Sequence, residues 1–288
     1  MKPYLSKMNK VSEINLDYSF NSGQVFLWEK DGNNWYGING SDIISISDNS
    51  NNIESFSKNP MDILRKGDNS SKIIQNISKD KIVKKAVKRF SGLRLLRQDP
   101  FQCYISFVIS SNSNIQKIRR VLQNLCRKFG TKVRFDGKEF FLFPEPNMLS
   151  KVSKNDLLSC GLGYRANFVK EAANAVKSGE IDFGYLKKTN YQTAKESLVK
   201  IYGIGNKIAD CIMLFSLDKL DAFPLDRWMI RVLQKYYYEK FPISSKTLTE
   251  KTYENLHEEI VRHFGPYAGY SQQFLFKMER DLNEKKWL

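Results

Sequence analysis

The stretch IYGIGNKIADCIMLFSL, residues 201–217, constrains the chain more than any other. A Gly-Ile-Gly turn, Gly203 to Gly205, runs straight into a segment that is apolar at nearly every position yet carries Lys207 in its first turn. Ahead of it, AKESLVKIY has a helical stripe of its own from Ala194 to Ile201. The pattern is two helices joined by a tight turn, in which glycines let the backbone bend sharply and come close to another surface. Free amides at the second helix's N-terminus, with its dipole, then suit an anion such as a DNA phosphate. An ordinary helix–helix turn meets the same pattern, so the turn alone leaves both readings open.

The charge favours the first reading. With 46 Lys and Arg against 31 Asp and Glu, the formal charge is +15, a balance that suits a polyanionic partner, nucleic acid before membrane. The four cysteines, Cys103, Cys126, Cys160 and Cys211, are scattered without C-x-x-C spacing. They read as reduced thiols of an intracellular protein, and neither a metal site nor a small-molecule cofactor is expected. No apolar run approaches the roughly 20 residues of a membrane span, and the opening MKPYLSKMNK lacks a signal-peptide core.

From Leu16 to Ser57 the pattern is strand-like: aromatic-rich segments flank the turn signal Asp31-Gly32-Asn33, and DIISISD alternates apolar with polar. A helical segment follows, in which Ile82, Val83, Ala86, Val87 and Phe90 share one stripe. After the capping pair Asp99-Pro100 almost everything reads as helix. Stripes recur at 115–129, 168–176, 228–236, 256–264 and 274–282. The expected fold class is α+β, a mainly helical body (99–288) that holds the hairpin, with a mixed N-terminal lobe (1–98) built on a small antiparallel sheet.

Lys207 shares a helical face with Cys211 and approximately with Leu214 and Phe215. An apolar wall and a positive helix terminus both disfavour an ammonium, and a neutral amine is a nucleophile. The plainer alternative is a lysine reaching back to a phosphate. Asp226 follows nineteen residues later at the start of the next helix, where a carboxylate steadies a cationic sugar, caps the helix, or does both.

The hairpin with Gly203, Gly205 and Lys207, followed by Pro224 and Asp226, resembles the helix-hairpin-helix DNA glycosylase superfamily, and within it the 8-oxoguanine DNA glycosylase/lyase family. SGQVFLW, FSGLRLLRQDPFQC, SSNSNI, GLGYRANF, GIGNKIADC and GPYAGYSQQFLF support the match in family order along nearly the whole chain. The resemblance implies that Lys207 attacks the deoxyribose C1′, expelling the base and leaving a Schiff base that permits strand cleavage by β-elimination. It makes Asp226 the residue that stabilises the oxocarbenium-like sugar. By the same resemblance the Gly23 carbonyl accepts the N7–H of 8-oxoguanine, Gln272 binds the Watson–Crick edge, and Cys211 and Phe276 flank the flipped base. For Gln272, Cys211 and Phe276, core packing is the plainer reading of the residues alone. Asn112 matches the asparagine that fills the gap left by the base, Tyr164 a wedge, and Arg165 a contact to the orphan cytosine.

Two positions depart from the family. Lys117 stands where a second arginine is expected and cannot make its planar bidentate contact, so relaxed discrimination for cytosine is implied. Trp228 replaces a histidine beside a phosphate. The expected partner is double-stranded DNA containing 8-oxoguanine, bound by a monomer in a prokaryotic cytoplasm at the nucleoid or in a eukaryotic nucleus. Two rival functions remain at this point, a glycosylase for a different damaged purine and a non-catalytic DNA-binding module.

Overall fold

Trp28, Trp35 and Ile44 each need an apolar neighbour on a pleated surface, and a sheet supplies it. In the computed structural model, which describes residues 4–7, 14–48, 52–57, 62–243 and 248–284, the sheet has five antiparallel strands. They are β1 (Tyr4–Lys7), β2 (Trp28–Asp31), β3 (Asn34–Asn39), β4 (Asp42–Ser47) and β5 (Asn52–Ser55), in the order β1-β5-β4-β3-β2. The expected turn joins β2 to β3, with Asp31 opposite Asn34. Apart from β1, the opening decapeptide and the reading made of it lie outside the described residues.

Two expectations from the sequence are corrected. Leu16–Phe20, read as strand, is a short helix, α1, because the Asn15 side chain caps it, accepting from the Tyr18 amide at 2.8 Å. Its Phe20 stacks on Trp28 at 4.1 Å. The region after Asp99 is also not all helix. β6 (Lys132–Phe135) and β7 (Lys138–Phe141) form a hairpin whose Asp136-Gly137 turn has φ of +48° and +73°. Phe135 packs with Tyr36 and Ile43 on one face of β3 and β4, while Trp35 and Ile44 join Phe20 and Leu64 on the other. Both faces are covered, which is why β4 is buried along most of its length.

The helices are α2 (Ser70–Ile77), α3 (Lys81–Arg89), α4 (Pro100–Ile109), α5 (Ile115–Phe129), α6 (Pro146–Leu149), α7 (Lys154–Ser159) and α8 (Arg165–Ser178). They continue with α9 (Phe183–Lys188), α10 (Tyr191–Val199), α11 (Asn206–Ser216), α12 (Arg227–Tyr236), α13 (Glu250–Phe264) and α14 (Ala268–Glu284). The architecture is α+β. Asp99 caps α4 and Pro100 takes its first position. α4 is buried from Phe101 to Ile109, as an all-round apolar helix must be, and α8 and α11 pack on it.

A buried polar joint ties the segment after α1 to the body. The Gln24 side chain donates to the Arg94 carbonyl at 2.7 Å and to Ser22 Oγ at 2.9 Å, and accepts from the Leu96 amide at 2.8 Å. From α14, Gln273 donates to the Ser22 carbonyl at 3.0 Å. Gly23 is thus held between two anchored neighbours. Among the described residues the four cysteines are unpaired and buried, no helix is long and apolar enough to cross a membrane, and no cluster of His, Cys, Asp and Glu could hold a metal.

Candidate active site

The hairpin is α10, a turn and α11. Gly203 has φ +90°, and a Cβ there would lie 2.4 Å from the Phe168 ring of α8, so both conformation and close approach require glycine. Gly205 caps α11 without a side-chain hydrogen bond, is exposed, and has open space where a Cβ would stand. The first amides of α11 therefore face outward and suit an anion.

Lys207, in the first turn of α11, stands where two cavities meet. One, of 910 Å³, is lined by Gly23, Cys211, Phe215, Gln272, Phe276 and Arg280. The other, of 1080 Å³, runs past Asn112, Lys117, Gly203, Gly205 and Trp228. Lys207, Asp226 and Ser110 line both. Lys207 Nζ lies 3.4 Å from Ser110 Oγ and 5.6 Å from the centre of the Phe107 ring. Because the Ser110 hydroxyl already donates to the Phe107 carbonyl at 2.7 Å, its oxygen faces the lysine as an acceptor. The predicted apolar wall is present in Cys211 and Phe215, whereas fully buried Leu214 lines neither cavity.

Asp226 is the N-cap of α12, its side chain accepting from the Met229 amide at 2.8 Å. Burial pushes its carboxyl above the usual carboxylate range; Lys207, the amides of Met229 and Trp228, and Arg280 oppose the shift without cancelling it. Burial likewise pushes the Cys211 thiol up to about 12, against the pull of Lys207. Cys211 is therefore a packed thiol at neutral pH, with the Lys207 side chain beside it on the cavity wall.

Gln272, Gln273, Phe276 and Arg280 reach the 910 Å³ cavity from α14. Gln272 is buried, and its Oε1 meets no donor among the described residues. Gly23 reaches the same cavity from the opposite end of the chain. Its φ is +81°, and a Cβ there would lie 3.0 Å from Arg280 Nη1 and 3.1 Å from Phe276 Cε1.

Tyr164 and Arg165 line neither cavity. Arg165 is buried, donating from Nε to the Ser111 carbonyl at 2.6 Å and from Nη2 to the Asn112 carbonyl at 2.8 Å. Asn112 is exposed at the rim with φ +45°, a conformation asparagine tolerates. Tyr164 is 54% exposed, Phe168 meets it edge-on, and Tyr202 of the hairpin, 67% exposed, extends the row. Lys117 is exposed in the first turn of α5, and Trp228 is half-buried under Arg231.

Residues 7–104 match the model of the 8-oxoguanine DNA glycosylase N-terminal domain, and residues 105–259 match that of the HhH-GPD superfamily of base excision DNA repair proteins. The chain belongs to that superfamily. This HhH-GPD chain is 31% identical to the N-glycosylase/DNA lyase OGG1 of Arabidopsis thaliana, over 93% of its own length and 78% of the relative's. It is similar, with TM-score 0.84 and 29% identity, to the Clostridium acetobutylicum 8-oxoguanine glycosylase/lyase, crystallised with double-stranded DNA containing cytosine opposite 8-oxoguanine; the match covers 94% and 93% of the two chains. At 18% identity and TM-score 0.76, the 3-methyladenine DNA glycosylase of Archaeoglobus fulgidus shares the fold. The HhH-GPD chain is therefore an enzyme, and the non-catalytic reading of its hairpin falls away.

Four residues around the HhH-GPD site escape the sequence reading: Phe107, Ser110, Gln273 and Arg280. Only Arg280 had a signal. It follows Gln272 and Phe276 at intervals of four, on the same face of a helix.

Proposed function

We propose that the chain excises 8-oxoguanine from duplex DNA and then cleaves the strand, with Lys207 as nucleophile. The observation that carries this reading is a lysine and a half-buried carboxylate where the 910 Å³ cavity meets the open groove formed by the 1080 Å³ one. DNA lies along the groove, and a phosphate meets the α11 amides at Gly203 and Gly205, beside Trp228. The lesion turns out of the stack, at a cost of a few kcal/mol, into the 910 Å³ cavity. There the Gly23 carbonyl accepts its N7–H, Gln272 Oε1 gains the donor it lacks, and Cys211 and Phe276 flank the ring. Asn112 fills the gap and Tyr164 wedges the stack. Arg165 and Lys117 face the orphan cytosine, Arg165 moving with the loop its guanidinium holds.

Lys207 Nζ forms a bond to C1′ as the C1′–N9 bond breaks, its electron pair leaving on the base. Asp226 stabilises the positive charge on the sugar. Breaking of the C1′–O4′ bond, with a proton passing to O4′, opens the sugar and turns this adduct into an iminium; the iminium acidifies C2′, and loss of a proton there expels the 3′ phosphate. The enzyme works as a monomer without metal or cofactor, with a mixed lobe at 1–98 and a helical body at 99–288, at the nucleoid of a prokaryote or in a eukaryotic nucleus.

Borohydride trapping on duplexes with one 8-oxoguanine opposite each of the four bases tests the assignment. A covalent adduct is expected with wild type and none with Lys207→Gln, which still binds DNA. Base excision by Lys207→Gln at the wild-type rate would remove Lys207 from the chemistry. Lys117 predicts less than tenfold preference for cytosine among the opposite bases, where a bidentate arginine is worth about 1–3 kcal/mol.

A further inference from the structure

We propose that Arg280 sets the charge of the base pocket: its guanidinium stabilises the negative charge on the departing purine and keeps out purines that carry a positive charge. The inference rests on the reading of the 910 Å³ cavity as the base site. Arg280 lines that cavity one helical turn beyond Phe276 on α14, with its Cζ 5.7 Å from the Phe276 ring centre. Its Nη1 comes within 3.0 Å of where a Gly23 side chain would begin. Cation, ring and glycine loop thus converge on one corner of the cavity. Behind Gly23 a smaller cavity of 260 Å³ is lined by Arg280 again, with Arg119 and Lys277. Among the described residues lining these two cavities, Asp226 is the single carboxylate, set against Lys207, Arg280 and Arg119, while Lys277 is paired with Asp281 at 2.7 Å. Arg280 is close enough to Asp226 to act on its carboxyl.

A cationic wall has opposite consequences for two classes of damaged purine. When the C1′–N9 bond of 8-oxoguanine breaks, the pair spreads over the five-membered ring and its oxygen. The Lys207 nitrogen, having bonded to C1′, sheds a proton that the purine takes up, so the base leaves neutral and the guanidinium is not consumed. While the charge exists, a cation within a few ångströms in a water-poor site lowers its energy. An N7-alkylated purine is already positive in its nucleotide, and its departure neutralises it. Such a base meets repulsion on entry and gains nothing from the cation on leaving.

The test is single-turnover base release from duplexes holding 8-oxoguanine or N7-methylguanine opposite cytosine. It uses wild type, Arg280→Met, which keeps the stem against Phe276, and Arg280→Lys, which keeps the charge. Borohydride trapping on a preformed abasic duplex, where no base departs, is the internal reference. The ratio of 8-oxoguanine release to trapping is expected to fall about tenfold in Arg280→Met and to recover to within about threefold in Arg280→Lys. N7-methylguanine release is expected at the uncatalysed background in wild type and above it in Arg280→Met. Wild-type release of 8-oxoguanine with an unchanged ratio in Arg280→Met overturns this inference alone, as does an equal loss in both variants. Wild type that releases N7-methylguanine and leaves 8-oxoguanine in place overturns the substrate reading and this inference with it.

Discussion

Replacing Gly23 by alanine probes the pocket where backbone, not side chain, meets the base. At φ +81° an alanine sits in the left-handed region, a cost of about 1 kcal/mol. Its methyl would begin 3.0 Å from Arg280 Nη1, 3.1 Å from Phe276 Cε1 and 3.4 Å from Ile115 Cδ1. Ile115 stays at ordinary contact, whereas Phe276 and Arg280 must yield by a few tenths of an ångström, toward the cavity they line. Strain and crowding together give about 1–2 kcal/mol, or a fall in Tm of about 2–6 °C for a chain of this size. The effect on activity is larger. A methyl at the edge where the base is read displaces it by up to about 1 Å, enough for about 10²-fold in base release. Lys207 and the groove lie outside this contact, so trapping on a preformed abasic site should fall far less than release of 8-oxoguanine. Release within about threefold of wild type, with Tm lowered as expected, would refute the placement of Gly23 against the base.

Two further substitutions separate stability from chemistry. Asp226→Asn keeps the cap on α12, since asparagine and aspartate cap equally well, but should slow base release by about 10²-fold or more. Burial holds the folded-state carboxyl above its unfolded value. The stability it contributes is therefore fully present below the unfolded value and is lost as pH rises through the folded one. The amide suffers no such loss, so the variant should gain on wild type as pH rises through that window, which thermal unfolding across pH 4 to about 8 would show. A difference that stayed flat with pH would deny the shift. Gln272→Leu removes a buried acceptor that has no donor in the free protein, so urea unfolding should place it within about 1 kcal/mol of wild type. Base release should nevertheless drop about 10–100-fold, and retention of full release would show that Gln272 never meets the base.

The helical body was legible because its signals are local. Asp99-Pro100 caps and starts α4 within two residues, and the α5 stripe of Ile118, Leu122 and Leu125 buries as its spacing demands. The misreadings have equally local causes. Tyr18 and Phe20 are aromatic residues that favour strands, yet one hydrogen bond from the Tyr18 amide to the Asn15 side chain and the packing of Phe20 on Trp28 select a helix. At β7, EFFLF offers no period that separates strand from buried helix, and the Asp136-Gly137 turn was the signal that would have decided it.

The site divides in a different way. Lys207, Asp226 and the two hairpin glycines could be picked out because residue type and spacing already state a chemistry. Gly23, Cys211, Gln272 and Phe276 look like ordinary core or turn residues, and only the ordered resemblance raised them. Ser110 and Gln273 were invisible, since a serine at the end of α4 matters only through the lysine 97 positions away that it faces, and Gln273 through a carbonyl 251 positions away. Arg165 shows why type alone misleads in the free protein. Its motif marks a base contact, but its guanidinium holds the Ser111 and Asn112 carbonyls, so it positions the loop before any DNA arrives. The same logic explains the cost carried at Asp226. A carboxylate placed where burial disfavours its charge is unfavourable for folding, and the cap it provides to α12 offsets part of that cost. Fold and chemistry thus share one side chain, and a substitution that relieves the first is expected to remove the second.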